Sequence, residues 1–130
     1  MMKVERFEEL EIWQIARELS KNIKVLSTDN SFEKDFRFRD QIRAAAGSIM
    51  DNIAEGFERG GNKEFLQFLY IAKGSCGEVR SQNYRALDFG YVTQDQHEQI
   101  NNQVIQLNVK INNLIQYLKN SNFKGEKYHK

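Results

Sequence analysis

Apolar residues recur along most of the chain at steps of three and four, which is the spacing of one face of an α-helix. Four such stripes are separated by short polar or glycine-containing stretches. They run from Leu10 to Leu26, from Ile42 to Phe57, from Phe65 to Ala86 and from Ile100 to Leu118. Because no segment alternates apolar and polar residues as a half-buried strand would, the pattern predicts an all-α protein.

The stretches between the stripes carry signals that end and start helices. Gly60 and Gly61 can adopt the left-handed backbone angles that end a helix, and Asn62 can cap the helix that follows. Thr93 and Gln96 have the spacing of a capping box. The sequence therefore predicts helices at about 9–27, 33–59, 62–89 and 93–119, with a flexible tail over 120–130.

Short connections place consecutive helices antiparallel, so we expect an antiparallel up-down-up-down four-helix bundle. The stripes repeat at seven residues, a period that favours knobs-into-holes packing. A chain of 130 residues without proline is long enough for a single helical domain that spans residues 1–130.

Small residues interrupt the second and third predicted helices around Gly47 and Gly74. Counted from the turn between Gly60 and Gly61, these two glycines lie at the same height in an antiparallel pair. A glycine inside a helix costs about 1 kcal/mol relative to alanine, so the pair requires a reason. One interpretation is a close approach of the two backbones, and the other is a gap for a ligand or a partner side chain.

The same count predicts an ion pair across this hairpin, because it places Arg43 level with Glu78. Further polar side chains lie on or next to the apolar stripes, where they need hydrogen-bond partners. These residues are Gln41, Asn52, Glu55 and Asn83. They either fix the helix register by bonding to one another or contribute to a subunit interface.

The charge of the chain is nearly balanced, with 19 Lys and Arg against 18 Asp and Glu. No field of the whole protein therefore attracts nucleic acid, and any basic surface must be local. The candidate nucleic-acid contacts are Arg37, Arg39, Lys73, Arg80 and Arg85. Aspartates alternate with the first of these arginines, which also fits an ordinary mixed face in solvent.

Aromatic side chains near these cations are the second candidate feature for binding nucleic acid. Phe36, Phe38, Tyr84 and Tyr91 have the ring faces on which unpaired bases stack. Aromatic residues at helical spacing are nevertheless more often part of the core, so both interpretations stay open.

No arrangement of residues predicts catalysis, a metal site or a cofactor. Cys76 lies on the apolar stripe of the third helix, which favours an inert buried thiol, and His97 and His129 are not expected beside it. A di-iron bundle needs two Glu-x-x-His pairs, and the sequence contains one, from Glu126 to His129 in the tail. We therefore predict a protein that is not an enzyme and has no small-molecule substrate.

The location of the protein is predicted from three features. A single cysteine cannot form an internal disulfide, the first residues lack the apolar core of a signal peptide, and no window approaches the ~20 apolar residues of a membrane span. These features predict a cytoplasmic protein that does not act in a membrane.

Two blocks of sequence then become informative: Asn52-Ile53-Ala54-Glu55-Gly56-Phe57 with Arg59, and Gly74-Ser75 with Glu78. Together with the opening at 7–14 and the segment 87–91, they resemble a bacterial four-helix bundle family, the 23S rRNA intervening-sequence proteins, which are often labelled ribosomal proteins. The motif positions, for which we expect packing or assembly roles, are Gln41, Arg43, Asn52, Glu55, Gly56, Arg59, Gly74, Ser75 and Glu78.

The resemblance implies a homo-oligomer, with a pentamer favoured, that has no enzymatic activity and no cofactor. A related branch is the accessory protein of diversity-generating retroelements, a barrel of five subunits that binds a reverse transcriptase and nucleic acid through a basic face. RNA or a nucleic-acid enzyme is therefore the expected partner.

Two other functions stay open at this point. One is a structural or protein-protein interaction module without a nucleic-acid role. The other is an enzyme that uses a pocket near Gly47, Gly74 and Glu78.

Overall fold

The computed structural model describes residues 4–121, which form a short 3-10 turn at Phe7–Glu9 and five α-helices. The predicted flexible tail lies outside the described residues from position 122 onward. The helices are α1 (Glu11–Leu26), α2 (Asn30–Lys34), α3 (Phe36–Glu58), α4 (Asn62–Asp88) and α5 (Gln94–Lys119).

The four long helices form a bundle around one apolar core, and the predicted all-α fold is confirmed. Helix α3 packs against α1 and α4, while α5 packs against α4 and closes the ring against α1. No β-strand occurs in residues 4–121. The centre of the core consists of fully buried aliphatic side chains, among them Leu19, Ile49, Ile53, Leu69, Val104, Leu107 and Ile111.

The apolar stripes predicted from the sequence form this core, but near the end of α5 the buried position is shifted by one residue. Ile115 is fully buried there, whereas Leu114 is only half-buried. An α-helix has 3.6 residues per turn, so a strict seven-residue stripe drifts and the inward position moves by one residue.

The reversal between α3 and α4 differs from the predicted one. Only Gly60 has a positive φ, at 90°, while Gly61 is extended at φ −112° and is itself the N-cap of α4. The predicted cap from Asn62 is therefore wrong, since Asn62 is the first residue of the helix and no side chain caps it.

The start of α5 agrees with the sequence. Thr93 Oγ1 accepts a hydrogen bond from the Gln96 backbone N at 3.1 Å, and Gln96 Oε1 accepts one from the Thr93 backbone N at 2.9 Å. The predicted capping box is confirmed.

The two glycines predicted to mark a close helix approach do not do so. A Cβ built at Gly47 or Gly74 would meet nothing within 4 Å, whereas one at Gly56 would lie 2.6 Å from the Cβ of Phe68. The close approach of α3 to α4 is therefore at Gly56, one turn before the reversal. Counting from a turn gives the height of a residue but not the side of the helix on which it lies.

The predicted ion pair between Arg43 and Glu78 is wrong for the same reason. Arg43 Nε donates to Ser27 Oγ at 2.7 Å, at the end of α1. Residues two apart on a helix point about 200° away from each other, so Gln41 faces the α3–α4 seam and Arg43 faces α1.

None of the helices within residues 4–121 is long and apolar enough to cross a membrane.

Candidate functional site

Aromatic side chains gather at the end of the bundle where the α1–α3 and α4–α5 connections meet. Phe32 is buried at the centre and stacks on Phe38 and Tyr91, with ring centroids 5.6 Å and 5.1 Å away. Phe89 meets the edge of Phe38 at 5.8 Å. We call this cluster, together with Phe36, the aromatic end.

A hydrogen bond joins the two connections at the aromatic end. The Tyr91 hydroxyl donates to Asp35 Oδ2 at 2.7 Å, and Asp35 Oδ1 accepts from the Phe38 backbone N at 3.3 Å. This bond to the carboxylate, together with burial, raises the pKa of Tyr91 above its ordinary value. Asp35 thus caps α3 and holds the α4–α5 connection at once.

Two rings of the aromatic end face outward. Phe36 is 64% exposed and Phe89 is 52% exposed. Tyr84 lies five residues before Phe89 and is also exposed, although its ring contacts that of His97 with centroids 4.6 Å apart. Phe38 is buried and belongs to the core. Of the residues predicted to stack on bases, Phe36 and Tyr84 are therefore accessible in the structure. Phe89 is a further accessible ring, which the sequence pattern did not predict as a stacking residue.

Three of the predicted arginines lie at the aromatic end. The Arg39 guanidinium lies 5.0 Å from the Phe36 ring centroid, and that of Arg85 lies 4.8 Å from the Phe38 centroid. Arg39 also pairs with Asp40 at 3.0 Å. Arg37 and Arg85 make no ion pair with any residue in the part of the chain that the structure describes.

The other two predicted cations lie elsewhere. Lys73 Nζ donates to Asn112 Oδ1 at 3.2 Å across the seam of α4 and α5. Arg80 is half-buried and lies seven residues further along α4, on the same side of the helix. The candidate contacts are thus split into one group of three at the aromatic end and one of two on another face.

The motif residues near the α3–α4 crossing hold the two helices together. Asn52 Nδ2 donates to Ser48 O at 2.8 Å and to Ser48 Oγ at 2.9 Å, and Ser75 Oγ donates to Ser48 Oγ at 3.1 Å. These bonds form a polar link between the two helices at Ser48 and Ser75, about two helical turns away from Gly56.

Near the reversal, Glu55 and Arg59 form an ion pair at 3.0 Å. The Arg59 guanidinium also lies 5.1 Å from the Phe68 ring centroid. Both contacts are exposed, so they contribute little to stability.

A shallow groove of about 370 Å³ runs along the seam of α3 and α4, toward the aromatic end. Its floor contains Gln82, which is 4% exposed and whose Oε1 has no hydrogen-bond partner within residues 4–121. Such a group costs about 1–3 kcal/mol, so it marks a place where a donor is missing. The α3–α4 groove is lined by Gln41, Ala44, Ala45, Ser48, Glu78, Ser81, Gln82 and Arg85.

The remaining reactive side chains have structural surroundings. Burial raises the pKa of the Cys76 thiol to about 12, so the reactive thiolate is not formed near neutral pH. Buried His97 contacts Asn83 through its Nδ1, 3.2 Å from Asn83 O, and Asn83 Nδ2 donates to His97 O at 2.9 Å. Across residues 4–121, no cluster of three or more His, Cys, Asp and Glu side chains could hold a metal ion.

Comparison with known proteins adds the family context. The sequence model of a family described as 23S rRNA-intervening sequence protein matches residues 8–113. A crystal structure from Bacteroides thetaiotaomicron, a protein of unknown function from the S23 ribosomal protein family, is similar with a TM-score of 0.73 and 23% identity. The similarity covers 80% of this chain and 97% of that one, and at this identity it bears on the fold alone. No curated protein matches the chain.

Proposed function

This chain belongs to the family of 23S rRNA-intervening sequence proteins, and from this premise we propose that it is a non-enzymatic adaptor that binds RNA. The observation that carries the proposal is the aromatic end, where exposed rings and unpaired arginines lie side by side. The prediction of a cytoplasmic homo-oligomer, with a pentamer favoured by the resemblance, is part of the same proposal.

The chemistry of the aromatic end suits single-stranded RNA. Unpaired bases stack on exposed rings such as Phe36 and Phe89, and arginines beside them contact the phosphates. Arg37 and Arg85 are available for this role because no carboxylate among residues 4–121 pairs with them. Because this binding surface is local, it does not require a high net charge of the whole chain, which is +1.

Self-association would increase the affinity of such a small site. Each copy supplies one aromatic end, so an oligomer presents several to a single RNA and gains effective concentration for every contact after the first. The relationship to the retroelement accessory protein stays a prediction, and it adds a nucleic-acid enzyme as a further partner.

The proposal is tested by measuring the binding of a single-stranded RNA oligonucleotide and of 23S rRNA across a salt series. For Arg37→Glu and Arg85→Glu we expect weaker binding and a salt slope smaller by roughly 0.7 for each phosphate that the variant no longer neutralises. Lys63→Glu makes the same charge change at the opposite end of the bundle, where Lys63 is exposed at the start of α4. It should bind as the wild type does.

If all three variants bind RNA as tightly as the wild type, or if RNA binding does not depend on salt, the proposed RNA adaptor is contradicted. The second candidate function, a protein-protein interaction module, predicts that result. It is favoured by the α3–α4 groove, an open seam with polar and apolar side chains that a polypeptide segment can occupy.

A further inference from the structure

A second groove, of about 630 Å³, runs along the seam between the last turns of α1 and the first half of α5. We call it the α1–α5 groove. Its lining contains three aliphatic residues, Val25, Leu26 and Ile100. The other lining residues carry carboxamides, and they are Asn22, Gln99, Asn102, Gln103 and Gln106. No lining side chain is charged, whereas the α3–α4 groove includes Glu78 and Arg85.

Three of the carboxamides in the α1–α5 groove are available to a ligand. Asn22 Nδ2 donates to Gln103 Oε1 at 3.1 Å, which joins the two helices across the seam. The carboxamides of Gln99, Asn102 and Gln106 are exposed and form no hydrogen bond within residues 4–121. A carboxamide has both N–H donors and an oxygen acceptor, the same groups that a peptide bond offers. The groove can therefore pair with a polypeptide backbone.

The aliphatic part of the groove is incompletely covered within the chain. Val25 is 70% exposed, more than any other large apolar side chain in residues 4–121. Leu26 beside it is half-buried, and Ile100 is buried. An apolar side chain placed against Val25 would remove apolar surface from water, which is favourable in proportion to the area.

The spacing of the free carboxamides suits an extended chain. Gln99, Asn102 and Gln106 lie at steps of three and four residues, so they share one face of α5. The distance along the helix axis from Gln99 to Gln106 is about 10.5 Å at 1.5 Å per residue. An extended chain rises about 3.3 Å per residue, so about three of its residues span this distance.

The lack of charge distinguishes between the classes of occupant. RNA carries a negative charge on every nucleotide, and no lining cation is present to neutralise it. A charged peptide side chain would likewise lose water without gaining a partner. The elements described in residues 4–121 are helices, whose backbone groups already bond to one another, so a second copy of them offers few free peptide groups. An extended, uncharged segment of another polypeptide has the matching properties.

We propose that the α1–α5 groove binds an extended, uncharged segment of a partner polypeptide. The carboxamides of Gln99, Asn102 and Gln106 bond to the backbone of this segment, and Val25 and Leu26 contact its apolar side chains. Backbone hydrogen bonds then supply affinity, while contacts to alternate side chains supply specificity. This inference goes beyond the RNA adaptor and does not depend on it, because Arg37 and Arg85 do not line this groove.

The test is a titration of the full ¹⁵N-labelled chain with the peptide acetyl-Thr-Val-Thr-Val-Thr-amide, followed by NMR. We expect the side-chain amide signals of Gln99, Asn102 and Gln106 to shift together with the backbone signal of Val25. A second peptide has the same side chains but ester bonds before its two valines, which removes two N–H donors. It should bind about tenfold more weakly, because it loses hydrogen bonds to the carboxamides.

Variants of the groove test whether the carboxamides recognise the backbone. Gln106→Met and Asn102→Leu keep the approximate shape of each side chain without its hydrogen-bonding groups, and both positions are exposed, so folding should persist. In each variant the difference in affinity between the peptide and its ester analogue should be smaller than about tenfold. The matched control is Gln116→Met, at an exposed position of α5 outside the groove, which should keep the full difference.

Four results would overturn the proposal. The first is the absence of any shift with the peptide, and the second is equal affinity of the wild type for the peptide and its ester analogue. The third is a shift of the same three carboxamide signals by a single-stranded RNA pentanucleotide, which would place RNA in the groove. The fourth is a lower mass in solution for Gln106→Met or Asn102→Leu than for the wild type, which would place a second copy there.

Discussion

Gly56 is the residue at which α3 and α4 come closest, and a methyl group is expected to be harmful there. The added Cβ would lie 2.6 Å from the Cβ of Phe68 and 3.1 Å from the Phe65 ring. Overpacking costs about 1–3 kcal/mol and the better helix propensity of alanine returns about 1 kcal/mol, so Gly56→Ala should lower the free energy of unfolding by up to about 2 kcal/mol. Urea unfolding measures this.

Gly77→Ala is the matched control, because Gly77 is exposed and a Cβ there meets nothing within 4 Å. It should raise the free energy of unfolding by up to about 1 kcal/mol. Both variants are compared with the wild type at the same protein concentration. If Gly56→Ala is as stable as Gly77→Ala, the close approach is not at Gly56.

Single contacts were the least predictable part of the molecule. The spacing along the chain predicted the heights of Gly47, Gly74, Arg43 and Glu78 in the hairpin, but contacts also require that side chains face each other. The side is set by how each helix is rotated about its axis, which depends on the packing of the whole core. The burial of Gln82 was not predicted, because Gln82 lies between the inward-facing Val79 and Ala86 and does not interrupt the apolar stripe of α4.

Helices were more predictable than contacts, because a buried stripe is a property of many residues together. The joint between α2 and α3 is the exception. The sequence predicts one helix over 33–59, although its apolar stripe begins only at Ile42. The structure divides this stretch at Asp35, whose carboxylate accepts from both Phe38 N and the Tyr91 hydroxyl. A bond between residues this distant in sequence leaves no periodic signal.

The Tyr91 bond to Asp35 predicts a dependence of stability on pH at this joint. The pKa of Tyr91 is raised in the folded protein, so its contribution is complete below the unfolded value of 10.0 and is lost as pH rises through the folded value. Tyr91→Phe should therefore unfold at a lower temperature than the wild type at pH 8, and the difference should shrink above pH 10. Thermal melts followed by circular dichroism measure both.

Tyr70→Phe is the control for removing a tyrosine hydroxyl, because Tyr70 is exposed on α4. Its melting temperature should follow that of the wild type at each pH. A constant difference between Tyr91→Phe and the wild type from pH 8 to pH 11 would show that the hydroxyl makes no titrating bond to Asp35.

At the scale of the whole molecule, the buried Gln82 on the floor of the α3–α4 groove affects the stability of the bundle. In a single copy its Oε1 is buried without a donor among residues 4–121. Methionine has a similar shape without that acceptor, so Gln82→Met should raise the free energy of unfolding of the chain by about 1 kcal/mol.

Gln67→Met is the control, because Gln67 is exposed on α4 and its replacement should change the free energy of unfolding little. Urea unfolding of both variants and of the wild type measures the difference. A Gln82→Met chain that is less stable than the wild type would show that the Gln82 carboxamide has a hydrogen-bond partner in solution, since removing a bonded acceptor costs stability and removing an unbonded one does not.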